Sequence, residues 1–367
     1  MKKLLAILFL LGVVGLAGYL IFQEEKKIEL DKSSLHQANY YQELDNNMVQ
    51  CLLCPRKCIL SEGQRGLCRV RQNIDGKLYS LSYGNIASAH IDPIEKKPFF
   101  HVLPGSQTYS IATAGCNLQC NFCQNWQLSQ VFPEDISSEY MSPEEIVETV
   151  LASGVESIAY TYSEPTIFIE YVIEIAKLAR EKGIKNVVIS SGYINEEPLR
   201  DLCKYLDAIK IDLKAFSEEF YQEMTGGQLA PILRNLKIIK EEGVWLEIVN
   251  LLIPGQNDSE EEIRNMVQWI KDNLGDEVPI HFSQFHPQYK LQNLPITPEQ
   301  TLKKAREIAI EAGLKYVYTG NIGDLETENT YCSDGSLAIQ RQGHFILGNN
   351  LNNGQCSNGE QIPGVWK

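Results

Sequence analysis

The sequence predicts an α/β protein built on a barrel-like parallel sheet, and three observations carry that expectation. From Gln107 onward, short apolar strand patterns alternate with amphipathic helix patterns, which is how βαβ units read in a sequence. Six or seven such units fit between residues 106 and 320, enough strands to curl a sheet most of the way round. The residues with chemical character fall directly after the strands, where ligands sit in sheets of this kind.

The elements follow in chain order. Leu4 to Phe22 is an uncharged apolar run of 19 residues, which as a helix nearly spans a ~30 Å hydrocarbon core. Residues 1–23 therefore read as a membrane anchor or signal. A cleaved signal peptide is the alternative, and the run is long for one and lacks a small-x-small cleavage site. Residues 24–50 are polar and read as a linker. Residues 51–105 form a Cys-rich, turn-rich module. Residues 106–320 carry strands at Thr108–Thr113, Ser157–Tyr162, Asn186–Ser190, Asp207–Leu213, Val244–Leu252, Ile280–Phe285 and Tyr316–Tyr318. Ser142-Pro143-Glu144-Glu145 is a capping box with proline at the first helical position. Further helices are expected over Glu164–Lys182, Asp258–Asn273 and Pro298–Ala312, the first closed by Gly183 and the last by Gly313. Residues 321–367 form a tail.

A formal net charge of −14 leaves no basic footprint for nucleic acid. The ten cysteines are informative because they are bunched. Cys51, Cys54, Cys58 and Cys68 form one group and Cys116, Cys120 and Cys123 another, and bunching reads as metal ligation more readily than as a disulfide framework. The second group lies in Ala114-Gly115-Cys116-Asn117-Leu118-Gln119-Cys120-Asn121-Phe122-Cys123, directly after the first barrel strand. Three thiolates on one loop can hold three corners of a four-iron cube and leave the fourth iron open. A zinc knuckle with a distant fourth ligand is the alternative.

With Phe122 just before the third cysteine, this loop resembles the radical S-adenosylmethionine (SAM) superfamily, whose signature is Cys-x3-Cys-x-aromatic-Cys. The resemblance implies a [4Fe–4S] cluster on Cys116, Cys120 and Cys123, with SAM chelated at the open iron. It also implies reductive cleavage of SAM to a 5′-deoxyadenosyl radical that abstracts hydrogen from a substrate. Ser163-Glu164-Pro165 occupies the place of the family's Gly-Gly-Glu-Pro, without the two glycines. Glu164 is thereby assigned to the SAM ammonium; a helix-start glutamate is the plainer reading. Ser190 and Ser191 end the third strand and suit ribose or the methionyl carboxylate, against a plain turn. Asp212 and Lys214 share one strand face and suit a polar pair beside SAM, against a structural salt bridge. Asn250, Gly255 and His286 close the fifth and sixth strands and complete the expected cofactor-binding set, although a lone histidine is as often structural.

Longer strings narrow the resemblance. Cys51-Leu52-Leu53-Cys54-Pro55-Arg56-Lys57-Cys58, Tyr160-Thr161-Tyr162-Ser163-Glu164-Pro165-Thr166, Ile253-Pro254-Gly255-Gln256-Asn257-Asp258, Phe285-His286-Pro287-Gln288-Tyr289-Lys290 and Ile362-Pro363-Gly364-Val365-Trp366 resemble the AmmeMemoRadiSam-system proteins, relatives of the pyruvate formate-lyase activating enzyme. From Cys51 to the C-terminus the resemblance implies a partial (β/α)6 barrel. Its partners would be a flavodoxin- or ferredoxin-type electron donor and a protein substrate or AmmeMemo-type partner. It supplies no settled substrate. Cys51, Cys54, Cys58 and Cys68 are a closed set of four thiolates, read as a second metal site holding zinc or an auxiliary iron–sulfur cluster, with two disulfides as the remaining reading. The relatives' C-terminal zinc ribbon has lost a cysteine from each knuckle, leaving Cys332 and Cys356, which would lie close together if the hairpins persist. Two further functions stay open: a glycyl-radical-enzyme activase, and a non-catalytic, membrane-tethered metal-binding scaffold on a decayed barrel. Lys2 and Lys3 favour a barrel outside the membrane. SAM and strong reductants favour the cytoplasm, which is the expectation here, with Cys332 and Cys356 reduced.

Overall fold

Ser157–Tyr160 reads Ser-Ile-Ala-Tyr and is buried along its whole length. A strand with no polar alternation suits a parallel sheet covered on both faces. The computed structural model, which describes residues 35–322 and 326–367, makes it a central strand of an eight-stranded sheet. The strands are β1 (Ser88–Pro93), β2 (Gln107–Ala112), β3 (Ser157–Tyr160), β4 (Lys185–Ser190), β5 (Ala208–Asp212), β6 (Trp245–Leu252), β7 (Ile280–Gln284) and β8 (Val317–Gly320). They lie in strict chain order, β1 to β8. β2 to β8 are parallel, with Ser157 opposite Thr108 and Lys185, while β1 is antiparallel to β2.

Six helices make the crossovers: α1 (Pro143–Ser153), α2 (Ile169–Glu181), α3 (Glu196–Cys203), α4 (Leu229–Glu241), α5 (Glu260–Leu274) and α6 (Glu299–Glu311). Six βα units closed by a last strand match the partial barrel expected. α1 starts on the expected capping box, where Ser142 Oγ accepts from the Glu145 amide and Glu145 returns a bond to the Ser142 amide. It stops at Gly154, whose φ of 73° is readily available only to glycine. The helix expected from Glu164 opens instead with a tight 3-10 turn, Pro165–Phe168, before α2 begins.

Two expectations about the N-terminal region change. The polar stretch read as a linker supplies strands: His36–Gln37 pairs with Lys77–Ser80, and Tyr41–Glu43 pairs with Val49–Cys51. Edge strands bond through the backbone whatever their side chains, so polarity hid them. β1, at the end of the Cys-rich segment, joins the main sheet. Residues His36–Lys367 accordingly form one compact unit. The membrane anchor expected over Leu4–Phe22 lies outside the described residues. Among the described residues, no helix is long and apolar enough to cross a membrane.

The tail folds as a three-stranded antiparallel sheet. Two similar turns, at Cys332–Ser336 and Cys356–Glu360, keep the hairpin geometry of knuckles: the Gly335 amide donates to Cys332 O and the Gly359 amide to Cys356 O. They bring the two Cα atoms to 6.3 Å, and the sulfurs are joined in a disulfide. This corrects the expectation of reduced thiols: the two turns hold the pair at bonding distance. Cys332, Cys356 and Ile362 pack with Phe100, Tyr316 and Tyr318, and Arg341 donates to the Phe100 carbonyl at 2.7 Å. This part of the tail thus docks against Phe100, Tyr316 and the start of β8.

Candidate active site

At the C-terminal ends of the strands lies a cavity of about 450 Å³. The loop after β2 delivers Cys116, Cys120 and Cys123 into it, with Phe122. This loop is held at both ends. The Gln119 and Asn121 amides donate to the carbonyls of Thr225 and Met224. Gly115 sits at φ 98°, and a Cβ there would meet the Cys68 carbonyl at 2.6 Å, so only glycine lets the loop pass. The Leu118 amide donates to Cys116 Sγ at 3.4 Å, and Ser129 Oγ lies 3.0 Å from Cys123 Sγ. Such contacts orient metal-binding sulfurs.

Burial pushes the Cys116 thiol well up, seconded by the nearby Glu164 carboxylate. Burial likewise raises the Cys120 thiol to about 12, against the pull of Lys214. A cation among them would favour their thiolate forms. Among the described residues, Cys116, Cys120 and Cys123 are not a set whose sulfurs all lie within 4.8 Å of one another. One zinc ion would draw its sulfurs to roughly 3.8 Å, the tetrahedral edge for ~2.3 Å bonds. The triad thus fits a multi-iron cluster better than one ion, and its residues would hold it on three sides.

Glu164 caps the turn after β3 and is almost fully buried. Its Oε1 accepts from the Thr166 amide, Thr166 Oγ1 and Ser190 Oγ, and its Oε2 accepts from the Ser191 amide and Ser191 Oγ. Glu164, Ser190 and Ser191 form one hub joining the ends of β3 and β4, and all three line the cavity. At the end of β5, Asp212 sits between two ammonium groups, hydrogen-bonded to Lys210 and 3.3 Å from Lys214 Nζ. Burial opposes its ionisation, but Lys210 and then Lys214 hold its carboxyl down to about 2. Lys214 also lies 5.8 Å above the Phe122 ring.

The three remaining sequence candidates do not line the cavity. Asn250 is buried on β6 and donates to the Leu213 carbonyl, so it fixes the backbone between Asp212 and Lys214. Gly255 occupies a turn at φ 72°, its amide bonded to Asp258 Oδ1. His286 is exposed. Asn250 lies within β6 between Val249 and Leu251, which do line the cavity, so strand alternation turns it to the other face.

Several lining residues carried little or no signal. Lys210 was legible as the next member of the Lys210-Asp212-Lys214 alternation. Lys97 was not: it donates to Asp92 at 2.7 Å and to Tyr162 Oη at 3.0 Å, and burial brings it down to about 8 against the pull of Asp92. His344 reaches the cavity from the tail, a placement that only the three-dimensional fold creates.

Residues 110–269 match the sequence profile of the Radical SAM superfamily. The chain is 46% identical to the uncharacterized protein MJ0808 of Methanocaldococcus jannaschii over 84% of its own length and 92% of that protein's. It is 24% identical to the pyruvate formate-lyase-activating enzyme of Clostridium pasteurianum, covering 55% of this chain and 89% of that one. The pyruvate formate-lyase 1-activating enzyme of Escherichia coli K12 is 22% identical over 56% of this chain and 89% of its own.

Proposed function

From the premise that the chain belongs to the radical SAM superfamily, we propose that it is an enzyme that binds a [4Fe–4S] cluster at Cys116, Cys120 and Cys123 and cleaves SAM reductively. The observation that carries this reading is the convergence of three thiols, the Glu164 hub and the Lys210–Asp212–Lys214 row on one cavity at the strands' C-terminal ends. When bound, the cluster supplies the electron that splits SAM into methionine and a 5′-deoxyadenosyl radical.

The chain's own residues do the rest. Gly115 and the Thr225–Met224 carbonyls fix the loop, so the sulfurs are preorganised and binding does not spend ordering entropy on them. Asp212, held ionised between two lysines, offers a fixed acceptor for a hydroxyl or ammonium of SAM. Lys214 offers positive charge beside the sulfurs, where the cluster's negative charge would sit. Phe122 and Leu118 wall off water, which protects a reactive radical.

The electron comes from a flavodoxin- or ferredoxin-type donor. A second reading, activation of a glycyl-radical enzyme, draws its support from a 28% identical relative described as a “putative glycyl-radical enzyme activating enzyme”. The test is anaerobic reconstitution with iron and sulfide, reduction by dithionite and addition of SAM, with 5′-deoxyadenosine as the readout. Wild type should produce it, and Cys116→Ala, Cys120→Ala and Cys123→Ala should each abolish it. Undiminished production in any of the three would refute the assignment.

A further inference from the structure

Behind the triad loop the chain closes a second, smaller cavity, lined by Cys51, Cys54, Cys58 and Cys68 together with Arg56 and Arg71. Neither arginine is satisfied. Arg71 is fully buried, with Nη2 on Glu170 at 2.5 Å, yet its Nη1 has no hydrogen-bond partner; Arg56 Nη2 is buried and equally unpartnered. A buried guanidinium N–H left without an acceptor costs about 1–3 kcal/mol. Both arginines line the cavity with the four sulfurs, and the open Nη1 of Arg71 suits an anionic occupant.

Four thiolates around one zinc ion and four thiolates around a [4Fe–4S] core are both anionic, so charge does not choose between them. Spacing does. Among the described residues, the one set of three ligand atoms lying within 4.8 Å of one another is Cys332, Cys356 and Glu360, and its two sulfurs are already bonded to each other. No three of the Cys51, Cys54, Cys58 and Cys68 sulfurs are that close, whereas one zinc ion would gather all four to roughly 3.8 Å apart. Sulfurs that surround a cavity at wider spacing fit the corners of a cube.

We propose that Cys51, Cys54, Cys58 and Cys68 ligate a second [4Fe–4S] cluster, beside the Arg71 guanidinium. With every iron bound to a cysteine, none is open to a small molecule, so this centre exchanges electrons and does not bind SAM. It abuts the first centre. Cys68 O touches the Gly115 position of the triad loop, and Asn117, the neighbour of Cys116, lines the second cavity. The proposal does not depend on SAM cleavage, because it rests on a different set of ligands.

The test uses the full chain, reconstituted anaerobically with iron and sulfide in the presence of zinc. Wild type should contain about eight irons and no zinc, and the Cys116→Ala/Cys120→Ala/Cys123→Ala variant should fall by half, to about four. Dithionite should give that variant a reduced-cluster electron paramagnetic resonance signal that SAM leaves unchanged, while SAM alters part of the wild-type signal. One zinc per chain with about four irons in wild type, or a triad variant without iron, would overturn the proposal. Should the variant fail to fold, the iron and zinc content of wild type decides alone. Loss of deoxyadenosine production with eight irons present would count against the proposed activity and leave this second site standing.

Discussion

Glu164 accepts hydrogen bonds from two amides and three hydroxyls, and this saturation has a consequence. Glu164→Gln keeps the shape but replaces one acceptor oxygen with an NH2 that must face donors already in place. At least one Ser191 or Ser190/Thr166 bond is lost and another becomes a donor–donor clash. The expected loss is about 2 kcal/mol of unfolding free energy, read from urea denaturation. A variant as stable as wild type would show that the hub is not structural. In the proposed enzyme the same substitution should weaken SAM binding, because the β3 and β4 ends are no longer tied together.

At the scale of elements, two substitutions separate helix stability from loop geometry. Ser142→Ala removes the side-chain half of the α1 capping box and should cost about 1 kcal/mol, with no effect on iron content. Gly115→Ala acts where the triad loop crosses Cys68. Its methyl group would sit 2.6 Å from the Cys68 carbonyl and 2.7 Å from Val70 Cγ1, at a φ of 98°. That clash is with backbone and cannot relax by a side-chain rotation. Reconstituted Gly115→Ala should therefore lose most of the triad's share, falling toward half the wild-type iron. Full iron loading would mean the loop has more room than its contacts indicate.

For the molecule as a whole, the tail and the strands' N-terminal halves form one buried polar network with opposing responses to pH. His101 bonds the Pro363 carbonyl at 2.8 Å and Tyr318 Oη at 2.7 Å, and burial lowers it to about 4. Its unfolded form takes up a proton near pH 6.5, so its contribution is complete above 6.5 and is lost progressively as pH falls toward 4. Burial raises the Glu95 carboxyl to about 7, so the folded state holds that proton first and gains stability as pH falls from 7. The two responses offset each other in wild type. Glu95→Gln, which keeps an acceptor for the Gly105 amide, should unmask His101, and its stability should drop by about 2 kcal/mol between pH 7 and pH 5. Equal pH slopes in wild type and variant would refute the offset. The Cys332–Cys356 link closes a separation of 24 residues, so Cys332→Ser/Cys356→Ser should lose about 3 kcal/mol while leaving iron content unchanged.

The sequence by itself determined the α/β class, the seven parallel strands and the loop that carries Cys116, Cys120 and Cys123. Each of these is written in local periodicity or in close spacing: buried strands read as unbroken apolar runs, and Cys116, Cys120 and Cys123 are close neighbours in the chain. It also indicated Glu164, Ser190, Ser191, Asp212 and Lys214, because strand ends converge in a parallel sheet. Only the tertiary structure decided which strand-end residues turn inward, separating these from Asn250, Gly255 and His286. Only it brought in Lys97 and His344, gave the polar Tyr41–Glu43 segment a strand partner, and closed the Cys332–Cys356 pair. The reason is the same each time. Backbone pairing, loop exit angles and contacts between residues far apart in the chain depend on the packed arrangement of several elements, and no local pattern of side chains encodes them.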